Sequence, residues 1–116
     1  MEDCLFCKIV KGEVPSTKVY EDEYVLAFKD INPVAPVHVL VIPKIHIKSY
    51  NEVNEENIEY VAKIQLAIKE VAKICGVSEE GYRVICNTGE NGGQVVHHLH
   101  FHLIGGKKMG PKIVCE

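Results

Sequence analysis

A basic excess is missing from this 116-residue sequence: 13 lysines and arginines stand against 16 aspartates and glutamates, a formal net charge of −3. A protein whose main task is to grip nucleic-acid backbone needs a positive field, so that class is set aside. No apolar run approaches the ~18 residues of a membrane span. The longest, Val37 to Pro43, is interrupted by His38. The opening Met1-Glu2-Asp3-Cys4 is acidic and lacks the basic start of a secretory leader. A soluble, cytoplasmic protein is expected. Internal repeats, Pro/Gly/Ser linkers and composition breaks are also lacking, so one domain over residues 1–116 is expected. Apolar residues make up 47% and charged residues 25%, which excludes a disordered or low-complexity chain.

An even cysteine count is absent too. Five cysteines, unevenly spaced at 4, 7, 75, 86 and 115, do not read as a disulfide framework. Cys4-Leu5-Phe6-Cys7 reads as a metal pair or a redox pair instead. A thioredoxin-like dithiol normally follows a strand at a helix start, and residue 4 leaves no room for one. Six histidines are present, four of them within residues 97–102.

The coarse pattern is α+β. Leu5 to Val10 fits a short helix, and Thr17–Tyr20 with Tyr24–Lys29 fits a hairpin around Glu21-Asp22-Glu23. Val37 to Ile42 reads as a buried strand that Pro43 ends. Asn54 to Cys75 is the clearest helix, with Ile58, Val61, Ile64, Ile68, Val71 and Cys75 in one apolar stripe. Asn54 is its expected N-cap and Gly76 its stop. Tyr82–Cys86 and Val95–Ile104 complete the strands, around a turn-forming segment from Asn87 to Gln94. Several strands with one long helix inserted predict an antiparallel sheet.

In a strand, alternate side chains share a face, about 6.5–7 Å apart. His98, His100 and His102 therefore fall on one exposed or ligand-facing side, and Leu99, Phe101 and Leu103 on the core side with His97. Three uses of the histidines compete: plain surface residues, three ligands of one metal, or a division between a structural role and phosphate chemistry. The Cα atoms of His98 and His102 would lie roughly 13–14 Å apart, which disfavours one ion for all three. Divided labour fits the strand best.

The run His98-Leu99-His100-Phe101-His102-Leu103-Ile104 resembles the His-φ-His-φ-His-φ-φ pattern of the histidine-triad family of nucleotide hydrolases and transferases. Leu26 to Pro33, Pro36 to Lys44 with His46, and Gly92-Gly93-Gln94 resemble its other blocks, so the likeness runs from about residue 3 to residue 106. The short, single-domain nucleotide-binding branch is the nearest.

That resemblance implies a five-stranded antiparallel sheet with one long helix and a short N-terminal helix, paired as a homodimer. It implies that His100 attacks the α-phosphorus of a nucleotide, that His102 donates to the phosphoryl oxygens, and that the His98 carbonyl orients the His100 ring. Asp30 would hold the ribose hydroxyls; Leu5, Phe6, Ile9 and Ile31 would wall the base. Asn87 and Gln94 would be neutral donors near the phosphate, with Gly92 and Gly93 letting backbone approach it. Cys4, Cys7, His46 and His98 would hold a structural zinc, a closed Cys₂His₂ set without an open position. Expected substrates are purine nucleoside phosphoramidates, nucleotidyl adducts or dinucleoside polyphosphates. A metal-dependent hydrolase using the His-x-His pair and a non-catalytic nucleotide-binding regulator are the alternatives. Two departures from the pattern are Val95, where relatives often carry Ser or Thr that assists the leaving group, and the tail Met109–Glu116, which lacks an aromatic ending.

Overall fold

The computed structural model describes residues 3–110. Their order is α1 (Leu5–Val10), β1 (Lys18–Glu21), β2 (Val25–Lys29), β3 (Val37–Pro43), a 3₁₀ turn (Tyr50–Glu52), α2 (Ile58–Ile74), β4 (Tyr82–Ile85) and β5 (Phe101–Gly105). The strands form one antiparallel sheet in the order β1-β2-β3-β5-β4. This is the α+β, five-stranded architecture expected.

Period-two alternation divides the sheet into two faces. Val25, Ala27, Val39, Val41, Phe101 and Leu103 face α2, whose Val61, Ile64, Ala67, Ile68 and Val71 fill the larger core. Leu26, Phe28, Leu40 and Ile42 face the other way and are covered by Phe6 and Ile9 of α1. Strand β3 is buried on both sides, hence its nearly continuous apolar sequence. His38 is the exception, in register with Leu40 and Ile42 on the α1 side.

Helix α2 begins later than its periodicity suggests. Asn54 caps a preceding turn instead: its Oδ1 accepts from the amides of Glu56 and Asn57 at 2.9 and 3.0 Å. The N-cap is Asn57, whose carboxamide is occupied by Asn54 N and Glu52 O. The other end does stop at Gly76, at φ +74°, where Gly76 N–H bonds Lys73 O and Val77 N–H bonds Ala72 O. That paired arrangement satisfies carbonyls the last turn leaves open, and glycine adopts the required φ without strain.

The strand expected over Val95–Ile104 is shorter than its alternation implies: β5 starts at Phe101. The β3–β5 register pairs Val41 with Phe101, so Leu99 would face Pro43, which has no N–H to give. Leu99 N–H turns to Ile47 O instead. Alternation nevertheless persists through residues 98–103, with Leu99, Phe101 and Leu103 in the α2 core. His97, expected on that core side, is exposed because it precedes this ordered run.

Candidate active site and metal centre

His98 and His100 lie under α1, with His102 half-buried beyond them. His98 is fully buried and His100 is 6% exposed, with the Phe6 ring edge-on to His100 at 5.1 Å between centroids. The outward-facing surface expected for them is therefore a covered one, opening only toward a cleft.

His98 turns to one side. Its Nδ1 lies 3.2 Å from Cys4 Sγ and 3.5 Å from Cys7 Sγ, and Cys7 Sγ lies 3.3 Å from His46 Nδ1. All four donor atoms fall within 4.8 Å of one another. Helix α1 produces half of this set: Cys4 is its N-cap, its sulfur accepting from Cys7 N–H at 3.3 Å, so both thiols emerge from one turn. His98 Nε2–H donates to Pro43 O at 3.1 Å, which leaves the Nδ1 lone pair aimed at the sulfurs. Burial pulls His98 down to about 4, with the nearby His46 and His100 adding to the effect, so the ring is neutral as a ligand must be. Burial lowers His46 as well. Two thiols and two unprotonated imidazole nitrogens, anchored behind by a carbonyl, fit a tetrahedral zinc, whose ligands sit about 2.0–2.3 Å from the ion.

His100 turns the opposite way. Its Nδ1–H donates to the His98 carbonyl at 2.7 Å, so Nε2 carries the lone pair. Burial lowers its proton affinity, opposed by the His98 carbonyl and Asp30. His102, with its ring centroid 5.0 Å away, is pulled down to about 4 by burial and by the neighbouring His100 and His38. Neither ring is set up to be a cation in the free protein. His100 and His98 thus do not converge as a His-x-His chelate.

Both His100 and His102 line an open cleft of about 520 Å³. Phe6 and Ile9 form its apolar floor, with Leu5 and the 91% exposed Ile31 at its rim. Asp30, Asn87 and Gly93 line it as well. Asp30 Oδ1 accepts from Asn32 N–H at 2.8 Å, which holds the carboxylate at the end of β2.

Gln94 is placed differently from its expected role as a phosphate donor. It is buried, its Oε1 accepts from Gly89 N–H, and its Nε2–H₂ donates to Lys48 O and Val96 O. Its carboxamide is spent pinning the 88–94 loop. The Gly93 and Gln94 amides also bond within that loop, to Glu90 O and Gly89 O. A Cβ at Gly92 would collide with the Thr88 backbone, so glycine there serves loop closure.

One site residue had no role assigned from sequence. His38 Nε2 lies 2.9 Å from His102 Nδ1 and 3.3 Å from Asp30 Oδ2. The signal was a lone histidine inside an otherwise apolar, doubly buried strand. Val95, the departure at the end of the loop, is 86% exposed on the cleft rim.

The sequence pattern of the HIT domain matches residues 11–109. The chain belongs to the HIT family. This HIT protein is 43% identical over 112 residues to the purine nucleoside phosphoramidase of Escherichia coli K12, covering 97% of this chain and 94% of that one. It is 50% identical over 107 residues to a 14 kDa zinc-binding protein of Zea mays, covering 90% and 83% of the two chains. Among solved structures, a HIT family hydrolase from Clostridium thermocellum superposes with a TM-score of 0.95 at 56% identity, covering 98% and 99%. A histidine triad protein from Clostridium difficile gives 0.93 at 50%, covering 97% and 98%.

Proposed function

We propose that this HIT protein is a nucleotide hydrolase that cleaves purine nucleoside phosphoramidates at the α-phosphate through a nucleotidyl-histidine intermediate. The observation that carries the reading is the 2.7 Å bond from His100 Nδ1–H to the His98 carbonyl, which leaves Nε2 bare within the cleft. That lone pair attacks the α-phosphorus and forms the N–P bond as the P–N bond to the leaving amine breaks, its electron pair going to the amine nitrogen, which takes a proton from solvent. Water then cleaves the histidine–phosphorus bond, releasing the nucleoside monophosphate and restoring His100. Two displacements each have a lower barrier than one attack by water. His102, beside His100, donates to the phosphoryl oxygens as charge builds on them.

Asp30 accepts from the ribose diol, and Phe6, Ile9, Leu5 and Ile31 sandwich the base. A phosphoramidase among the relatives supports the leaving-group class. Zinc at Cys4, Cys7, His46 and His98 is structural: with all four positions filled by protein it supplies no open coordination site. It ties α1, and so the floor of the cleft, to the β3 end and the histidine segment. The zinc-binding relative supports that assignment. Half-exposed Val84 and Tyr82 on edge strand β4, with Leu66 and Ile74 on α2, support a homodimer that covers them.

The test is a single-turnover incubation with adenosine 5′-phosphoramidate followed by isolation of the protein in base. An acid-labile nucleotidyl adduct on wild type and none on His100→Ala is expected. Wild type that binds AMP but never forms the adduct would identify a nucleotide-binding regulator instead.

A further inference from the structure

The peptide unit between His98 and Leu99 is bonded at both ends. Its oxygen accepts His100 Nδ1–H at 2.7 Å, and its N–H donates to the Ile47 carbonyl at 2.6 Å. A trans peptide is planar and points its C=O and N–H in opposite directions, so holding one end aims the other. The sheet does not supply this hold, because the β3–β5 pairing reaches no further than Val41 with Phe101. Ile47, beyond the end of β3, supplies it instead. Its side chain is 2% exposed and that of Leu99 is 1% exposed, both in the core facing α2, so donor and acceptor are each anchored. The next carbonyl, Lys48 O, accepts from Gln94 Nε2–H at 2.7 Å. Two consecutive carbonyls thus hold the stretch that carries the histidines.

We propose that Ile47 is a positioning residue for the nucleophile, its main-chain carbonyl acting on His100 through peptide 98–99. The inference rests on the reading of His100 as the attacking group. As Nε2 bonds to phosphorus, the His100 ring gains positive charge and its Nδ1–H becomes a stronger donor. The His98 oxygen stabilises that ring according to its own partial negative charge. Donation of Leu99 N–H to Ile47 O polarises the peptide and raises that charge. The gain is larger for the charged ring than for the neutral one. It therefore appears in the rate of attack and leaves nucleotide binding nearly unchanged.

No side-chain substitution removes a carbonyl, so the test alters the backbone. Exchanging Lys48 for its α-hydroxy acid turns the 47–48 amide into an ester, which weakens the Ile47 oxygen as an acceptor and keeps every side chain. The same exchange at Ser49 weakens the Lys48 oxygen and serves as the comparison within one segment. NMR of the free, zinc-loaded proteins reads the His100 Nδ1–H resonance. The 47–48 ester is expected to move it upfield, and the 48–49 ester to leave it in place. In single turnovers with adenosine 5′-phosphoramidate, the 47–48 ester should slow adduct formation about threefold, with AMP affinity held within about 1.5-fold.

A purely structural bond would lower the Tm without moving that resonance, and this result overturns the proposal, as does an equal shift from both esters. Wild type provides a check that needs no variant to fold: the Leu99 amide should be strongly protected from hydrogen exchange, and exchange at the rate of an open amide refutes the relay. The resonance and exchange measurements need no turnover. Failure of the hydrolase reading, seen as an adduct that never forms, is therefore distinguishable from failure of the relay.

Discussion

His98 and His100 are two residues apart, yet their rings serve opposite ends of the molecule's chemistry. His98 sits in a dry, closed cluster where every donor atom faces another protein donor within 4.8 Å. His100 sits at the wall of a cleft with one nitrogen tied and the other open. Both are buried and both resist protonation, so burial alone does not separate the roles. What separates them is which nitrogen a backbone carbonyl holds. Pro43 O takes the Nε2 proton of His98 and leaves Nδ1 for the sulfurs. The His98 carbonyl takes the Nδ1 proton of His100 and leaves Nε2 for the cleft. A carbonyl acceptor is an inexpensive way to select a tautomer, because it accepts but never donates.

The largest effect expected on the cleft side comes from His100→Ala. Steady-state turnover of adenosine phosphoramidate should drop by at least about 10³-fold. Thermal unfolding and AMP affinity should stay near wild type. Retained turnover would erase the distinction between the two histidines.

On the metal side, Cys4→Ser should cost stability rather than chemistry. Losing a thiolate ligand of a structural zinc should lower the Tm by about 10 °C or more and cut zinc content. Activity per folded molecule should change less than about threefold. Zinc analysis, melting curves and active-site titration together check this. An activity loss as deep as that of His100→Ala, with an intact fold, would show that the two regions are not separate.

Acid should strike the closed cluster in a defined window. The pKa of His98 is held at about 4, below its ordinary 6.5. The unfolded chain therefore binds a proton that the folded one refuses. His98's contribution is whole above pH 6.5 and is lost progressively as pH falls toward 4; protons also compete with the metal for the same nitrogen. The Tm of the zinc-loaded protein should fall between pH 7 and pH 5. A flat Tm across that range would break the link between buried neutrality and stability.

The smallest effect sharpens the cleft's rim. Val95 is 86% exposed, so Val95→Ser should leave stability within about 0.5 kcal/mol. It places a hydroxyl on the rim of the cleft. Turnover of phosphoramidates with poor leaving groups should rise about threefold, against little change for good ones, in a leaving-group series. Equal rates across the series would show that this position takes no part in expelling the amine.

Much of this was legible before any coordinates. The 3.6-residue stripe of Ile58, Val61, Ile64, Ile68 and Val71 predicts α2, because an apolar face at that period has to be buried. The period-two run predicts that His98, His100 and His102 share a side. Three features were not legible. Where β5 begins depends on Pro43 in another strand, so local alternation overestimated it. Asn54 reads as a cap by residue type, but Asn57 takes the N-cap position in the same turn. Gln94 reads as a free donor until the Lys48 carbonyl, 46 residues away, claims it.

The sequence by itself determined the periodicities: which faces are apolar, which imidazoles alternate, and that two thiols three residues apart emerge from one helical turn. Those follow from backbone geometry between near neighbours, which every stretch of chain carries with it. The tertiary structure decided the pairings: Cys4 with His98 across 94 residues, and His38 with His102 across 64. Those depend on the register of β3 against β5 and on α1 lying over the sheet. Only when the chain closes does each ring nitrogen meet the partner that makes it a ligand, a nucleophile or a donor.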